Sequence, residues 1–192
     1  DKGISNHDVI EIMVNTSNPQ SGDWIAAYSP ATVDIAKIVP VRFAFAHVAK
    51  DYMATGNGVL SFNFTNIRED MSFYYYRGGL YNGIAMNTTL DKEENVYFTD
   101  PNEPLRPRMV ATGDPNEYNL LWSTNNSANP QVQWGTSTGV YTSNSDATTN
   151  RITKDDVCDG GNANGRGWRD TGAIHTAAMS GMTAYSAGTI LY

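Results

Sequence analysis

Three histidines, one cysteine and a scatter of carboxylates are the groups in this 192-residue sequence with chemistry to offer. Their spacing suits little of it. His7, His47 and His175 stand alone, without the His-x-His or His-x-x-x-His spacing that brings two imidazoles to one cation. A two-cation centre needs several carboxylates, histidines and an Asn around two ions, with positions left open for substrate and hydroxide. Gly22-Asp23 with Tyr28, and Gly113-Asp114 with Tyr118, approach one piece of such a set, but the Tyr falls too late in both. The first reads as a turn entering a strand and the second as a Gly-Asp-Pro turn. The glycines from Gly160 to Gly167 lack the Lys-Ser/Thr of a phosphate-binding loop, and no nucleophile elbow or Cys/His pair is present. Cys158, the single cysteine, is either a buried free thiol or half of a disulfide to a segment or chain outside this sequence.

The elements that would position these groups read as β-strands. Residues 9–14, 24–28, 41–48, 59–65, 71–76, 84–87 and 96–98 are β-rich runs separated by Gly, Pro and Asn turns. Leu60, Phe62 and Phe64 alternate with Ser61 and Asn63, the clearest strand in the chain, and Phe43 and Phe45 share one parity and are expected in the core. Residues 31–39 allow a short helical turn. Of Tyr74, Tyr75 and Tyr76, alternation in a sheet buries at least one, which weighs against a sugar-stacking platform. The closely spaced prolines Pro101, Pro104 and Pro107 read as a stiff linker over 101–107. Beyond it, 119–123, 131–135 and 139–141 read as strands and 184–192 as a closing strand. The expected architecture is all-β: two tandem antiparallel sandwiches of immunoglobulin or fibronectin III type, 1–100 and 108–192, the second ending inside its last strand. An incomplete sandwich exposes an unpaired edge, so that ending suggests truncation, or a partner that supplies the strand.

Composition narrows the partners. A hydrophobic share of 40% with 11 Tyr, 6 Phe and 4 Trp is enough for packed cores. A formal charge of −7 with no basic run argues against nucleic acid. No apolar stretch nears the roughly 20 residues of a membrane span, and a start at Asp1 without Met or an apolar leader reads as a mature or trimmed terminus. Asn15, Asn63, Asn87 and Asn125 each begin an Asn-x-Ser/Thr acceptor for N-linked glycan.

The least generic run is 155–176, DDVCDGGNANGRGWRDTGAIHT. Its glycines preclude a helix, since each costs up to about 1 kcal/mol there. It reads as a structured loop leading through Trp168-Arg169-Asp170 into a strand at 174–179. Cys158, Gly167, Trp168, Arg169, Asp170, Gly172, Ile174, His175 and Thr176 resemble a segment of the large purple acid phosphatases of plants and protists, late in the domain before their catalytic metallophosphoesterase domain. Thr171 stands where that family usually has Pro, and Asp159-Gly160-Gly161 also departs from it. Gln131-Val132-Gln133-Trp134-Gly135-Thr136 is similar to a second family strand, and Ser21-Gly22-Asp23-Trp24-Ile25 with Ser29-Pro30 to its extra N-terminal domain.

The resemblance implies a non-catalytic N-terminal region of a secreted or cell-surface glycoprotein. The complete protein would hydrolyse phosphate monoesters at a binuclear, iron-containing centre, none of whose metal motifs is in this sequence. The partners implied are a catalytic domain, in cis or on another chain, and N-linked glycans, with a homo-oligomer also open. Trp168, Arg169, Asp170 and His175 are the candidate interface residues. For the first three the alternative is an indole packed on its own sandwich with Arg169 and Asp170 paired locally; for His175 it is a hydrogen bond that fixes the Gly-rich loop. A reading from a different class is an extracellular structural or adhesion module without enzymatic activity.

Overall fold

A computed structural model of the chain describes residues 3–78, 80–81, 84–85, 89–92, 95–126, 128–158, 161 and 163–192. Gly79, Met86, Asn87, Gly160 and Asn162, which carry parts of the turn, strand, glycan-acceptor and loop expectations, lie outside the described residues. The chain divides into two compact units, Asp1–Pro101 with Lys154–Arg169, and Asn102–Thr153 with Asp170–Tyr192. The Gly-rich loop is thus an excursion of the second half of the sequence that packs with the first unit.

The first unit contains β1 (Gly3–Ile4), β2 (Val9–Asn15), β3 (Asp23–Tyr28), β4 (Arg42–Phe45), β5 (Asn57–Asn63), β6 (Ser72–Arg77), β7 (Leu80–Tyr81), β8 (Ile84–Ala85), β9 (Thr89–Lys92) and β10 (Tyr97–Phe98), with one helical turn, α1 (Tyr52–Thr55). One sheet is β2–β5; the other runs β4–β3–β6–β9. Their inner faces meet in a core of Ile10, Val14, Ile25, Ala27, Leu60, Phe62, Phe73 and Tyr75. Period-two alternation puts Leu60, Phe62 and Phe64 into this core, as their spacing predicts, and turns Ser61 and Asn63 outward.

All six residues of β3 are buried, because its sheet is covered on both faces. Trp24, Ala26, Tyr28 and Tyr76 form the second cluster, under Val33, Ile35 and Ile38. Segment 31–39 is therefore a run of turns that covers a sheet, with no helical element. Register explains why Phe43 and Phe45 miss the core: Ile25 pairs with Ala44, which packs inward, while Phe43 lies opposite Ala26 and Phe45 opposite Trp24. Both rings face the outer side of edge strand β4 and stay 45% and 36% exposed. The strand also stops at Phe45, and His47 lies in the following 3-10 turn.

The second unit holds β11 (Leu105–Ala111), β12 (Glu117–Thr124), β13 (Gln131–Trp134), β14 (Ser143–Asp146), β15 (Thr148–Arg151) and β16 (Ala173–Ser180). One sheet runs β11–β12–β16–β15, the other is β13–β14. Trp122, Val132, Trp134, Ala177 and Met179 fill the space between them. The proline run does not stay a linker to 107, because β11 starts at Leu105. Pro107 is tolerated there because β11 is an edge strand whose register shifts between Leu105 and Arg108, so the missing N–H breaks no ladder bond. The expected strand at 139–141 is a turn closed by a Ser137–Val140 bridge. The closing segment is a 3-10 turn at Met182–Ala184 followed by turns; Tyr192 exchanges two backbone hydrogen bonds with Gly135, at 3.0 and 3.3 Å. Gly188, at positive φ, turns the chain where a strand was expected.

Candidate functional site

The Gly-rich loop carries the family-like residues, and Arg169 ties it down within the first unit. The Arg169 guanidinium donates from Nη2 to the Val39 carbonyl at 2.7 Å and from Nη1 to the Trp168 carbonyl at 2.7 Å. The Val39 N–H donates in turn to the Arg166 carbonyl at 3.1 Å, so both backbone groups of Val39 are engaged by this loop. Burial lowers the Arg169 pKa from the usual range, opposed by the charge of Glu69. The Trp168 N–H closes the turn on Gly165 at 3.1 Å. Cys158 is exposed and unpaired in this chain, which removes the buried-thiol alternative.

The expected local pair of Arg169 with Asp170 does not form. Asp170 belongs to the second unit, where its carboxylate accepts from Arg151 Nη1 at 2.6 Å and from the Gly172 N–H at 2.8 Å. Consecutive residues in extended backbone point opposite ways, so adjacency in sequence does not make Arg and Asp partners. Arg151 also donates to the Asn125 carbonyl at 2.8 Å, and Asn125 itself is half-buried.

His175 is 1% exposed in β16. Its Nε2 is 2.7 Å from the Thr124 hydroxyl and its Nδ1 2.9 Å from the Thr149 hydroxyl. Thr124 lies on β12 and Thr149 on β15, the two neighbours of β16, so the imidazole bolts three strands together and rests against Trp122 with ring centroids 5.2 Å apart. The two hydroxyls it meets belong to strands of the second unit.

The most elaborate polar site was missed by sequence reasoning, which treated Asp23 as a turn residue. Asp23 is fully buried. Its Oδ2 accepts from the Tyr52 hydroxyl at 2.5 Å, the Gln20 N–H at 2.9 Å and the Tyr75 hydroxyl at 3.1 Å. Oδ1 accepts from Arg77 Nε at 3.0 Å, and the two phenols are 2.6 Å apart. Register makes the ion pair, since Asp23 on β3 is directly opposite Arg77 on β6 and Tyr75 is two residues along the same face. Helix α1 brings Tyr52. Desolvation alone would raise the Asp23 pKa, but the bonds from Arg77, Tyr52, the Gln20 amide and Tyr75 prevail and hold the carboxyl below the usual carboxylate range. Burial, with the anion beside it, pushes the Tyr52 phenol far up; burial is also the main cause of the rise at Tyr75. A base and two phenols are thus locked in one network rather than presented to a ligand. The only advance signal was a lone Asp beside Gly22 at the start of an apolar strand.

Asn15 and Asn63 lie on the exposed face of β2–β5. Asp114 caps its own turn, accepting from the Asn116 N–H at 2.8 Å. Among the described residues no group of three or more His, Cys, Asp or Glu gathers as a cation site.

Two all-β units whose buried polar residues brace their sheets define a class of protein: a tandem β-sandwich module. Residues 1–91 match the Fn3-like domain from purple acid phosphatase, and residues 104–186 the N-terminal domain of purple acid phosphatase. The chain belongs to the purple acid phosphatase family, as its non-catalytic N-terminal β-domains. Relatives include two Arabidopsis thaliana proteins, "Probable inactive purple acid phosphatase 27" at 32% identity over 88% of this chain and "Probable inactive purple acid phosphatase 1" at 31% over 90%. The chain spans 30% of the length of each. The structure of purple acid phosphatase PPD1 from yellow lupin (Lupinus luteus) seeds superposes with a TM-score of 0.79 at 26% identity, covering 91% of this chain and 33% of that one.

Proposed function

We propose that this chain is the supporting N-terminal region of a secreted purple acid phosphatase-like metallophosphoesterase, packing against a catalytic domain that hydrolyses phosphate monoesters at an iron-containing binuclear centre. The observation that carries the reading is the pair of matched domains, which cover residues 1–91 and 104–186, while the sequence holds none of the metal motifs. In this role the chain contributes rigidity. Asp23 and Arg169 make their hydrogen bonds inside the first unit and His175 bonds strand hydroxyls inside the second, leaving the surfaces to the catalytic domain, to a second copy and to glycan. Exposed Cys158 is the group available for a disulfide to a segment or chain outside this sequence.

The test is a comparison of this chain with the complete gene product. The complete protein should bind two metal ions and hydrolyse p-nitrophenyl phosphate at acidic pH, and this chain alone should do neither. Metal-dependent hydrolysis by the isolated chain would overturn the reading. A second reading, a complete protein without phosphatase activity, is favoured by the names of the Arabidopsis relatives, which call them inactive. It predicts a secreted structural or adhesion protein that fails the same assay at full length.

A further inference from the structure

The two sheets of the first unit do not close completely over their shared core. Ile10, Ile12 and Val14 have the same inward parity on β2, yet Ile12 stays half-buried between two buried neighbours. A cavity of about 300 Å3, bounded by β2, β3 and β6, lies over it. Protein interiors are packed to near-crystalline density, so a space of this size inside a sandwich is out of the ordinary. Its walls are apolar and come from facing sheets, Ile12 and Val14 from one, Ile25 and Phe73 from the other. Facing sheets stand about 10 Å apart, so the space between them is a slot that suits a flat ring. Its rim is polar, formed by Asn15, Thr16 and Arg77, the first exposed and the other two half-buried.

We propose that this cavity binds a small uncharged aromatic alcohol, its ring in the slot against Ile12, Val14, Ile25 and Phe73 and its hydroxyl at the Asn15–Thr16–Arg77 rim. Charge decides the class of ligand. The Arg77 guanidinium is matched by the buried Asp23 carboxylate, with Nε 3.0 Å from Oδ1, so the ion pair beside the cavity is already neutral. A ligand anion would give up its hydration to lie next to the buried Asp23 anion, and a ligand cation would meet the guanidinium. A hydroxyl, in contrast, both donates and accepts. The rim answers both needs: the Asn15 carboxamide, which donates through Nδ2 to Asn57 Oδ1 at 2.5 Å, brings a carbonyl oxygen as acceptor, and Thr16 brings a hydroxyl. Pockets for small molecules combine mostly apolar walls with a few polar groups that fix orientation, which is the arrangement here. The network that locks Asp23, Tyr52 and Tyr75 holds the Arg77 side of the rim in place. Nothing in this site depends on a metal centre, so it stands apart from both readings of the complete protein.

The experiment is a titration of the whole 192-residue chain, with its Ile, Leu and Val methyls labelled for NMR, against benzyl alcohol and, separately, benzoate. Benzyl alcohol should shift the methyls of Ile12, Val14 and Ile25 saturably, with a midpoint of about 1 mM for a ligand of this size, and leave Ile174 in the second unit unmoved. Benzoate carries the same ring on a charged head and should give no saturation over that range. Ile12→Phe puts a ring of the protein's own into the slot and should abolish saturation by benzyl alcohol; the comparison of the two ligands on the unmodified chain decides the matter if that variant does not fold. Shifts that stay linear in benzyl alcohol would overturn the proposal. So would shifts confined to Leu120 and Val132, which line a separate apolar cleft of about 220 Å3 in the second unit, or undiminished saturation in a folded Ile12→Phe variant. Benzoate binding as tightly as benzyl alcohol would overturn the argument from charge and with it the class of ligand.

Discussion

Replacing Asp23 with Asn should destabilise the first unit by about 3 kcal/mol at neutral pH, because the network around it was built for an anion. Asn is nearly isosteric, so packing is preserved and the change is electrostatic. The carboxylate accepts from Tyr52, Tyr75 and the Gln20 amide through Oδ2 and from Arg77 through Oδ1. An amide has one acceptor atom where the carboxylate has two. If its oxygen stays toward Arg77, its NH2 meets the Gln20 N–H donor; if it flips, it meets the guanidinium. The phenols adapt, since hydroxyls also accept, which leaves one charge-assisted bond lost and one donor facing a donor. A lost bond to a charged group costs about 1.5–3 kcal/mol and an unsatisfied buried polar group about 1–3. For a sandwich of this size that is a fall in Tm of roughly 12–20 °C.

The assay is thermal and urea unfolding of the whole chain, followed by Trp fluorescence at several pH values. Sign and window follow from the lowered pKa of Asp23. Its contribution is present above the unfolded carboxyl value of about 3.9 and is lost as pH falls through the lower folded value. The gap between wild type and D23N should therefore be full at neutral pH and close in acid. A variant within 0.5 kcal/mol of wild type at pH 7, or a gap that persists unchanged into acid, would refute the reasoning. Asp34→Asn, at an exposed carboxylate paired with Lys37, is the control and should leave unfolding unchanged.

Other substitutions test other joints. Gly56 closes α1 at φ 75°, and a Cβ there would sit 1.8 Å from the Thr16 carbonyl oxygen, so Gly56→Ala should cost at least about 2 kcal/mol in urea unfolding and misplace Tyr52. His175→Phe keeps the ring but strips partners from the Thr124 and Thr149 hydroxyls; a loss of about 1–3 kcal/mol confined to the second unit is expected, read by hydrogen exchange on β12 and β15. Arg169→Ala frees the Val39 carbonyl and should raise protease cleavage within 154–169 several-fold while leaving the exchange protection of β16 unchanged. In alkali, the raised pKa values of Tyr52 and Tyr75 mean stability that is complete below pH about 10 and falls as pH rises beyond it, visible as unfolding coupled to phenolate absorbance at 295 nm.

How far the sequence spoke differs from element to element. Leu60, Phe62 and Phe64 announced both strand and inward face, because one side of β5 is solvent and the other is core. Phe43 and Phe45 announced a strand and the wrong face, since alternation gives parity and only the pairing of Ala44 with Ile25 decides which parity is inside. Ser143–Asp146 and Thr148–Arg151 carried almost no apolar signal, being exposed strands held by their neighbours in the ladder. The Gly-rich loop was legible as a loop, whereas its attachment to Val39 spans 130 residues of sequence and no local pattern encodes it. The Asp23 network was invisible for the same reason: its members come from 20, 23, 52, 75 and 77, and each alone looks ordinary. The family resemblance survived because it rests on residues such as Trp24, Trp134 and His175, whose burial restricts what can replace them.

The most direct test of the central claim is the intact mass of the protein from its native source after enzymatic removal of N-glycans, with metal content measured on the same sample. The account predicts a polypeptide well above 21.0 kDa that carries bound iron. A native polypeptide of 21.0 kDa without metal would contradict it and leave a free-standing β-sandwich pair whose role is structural.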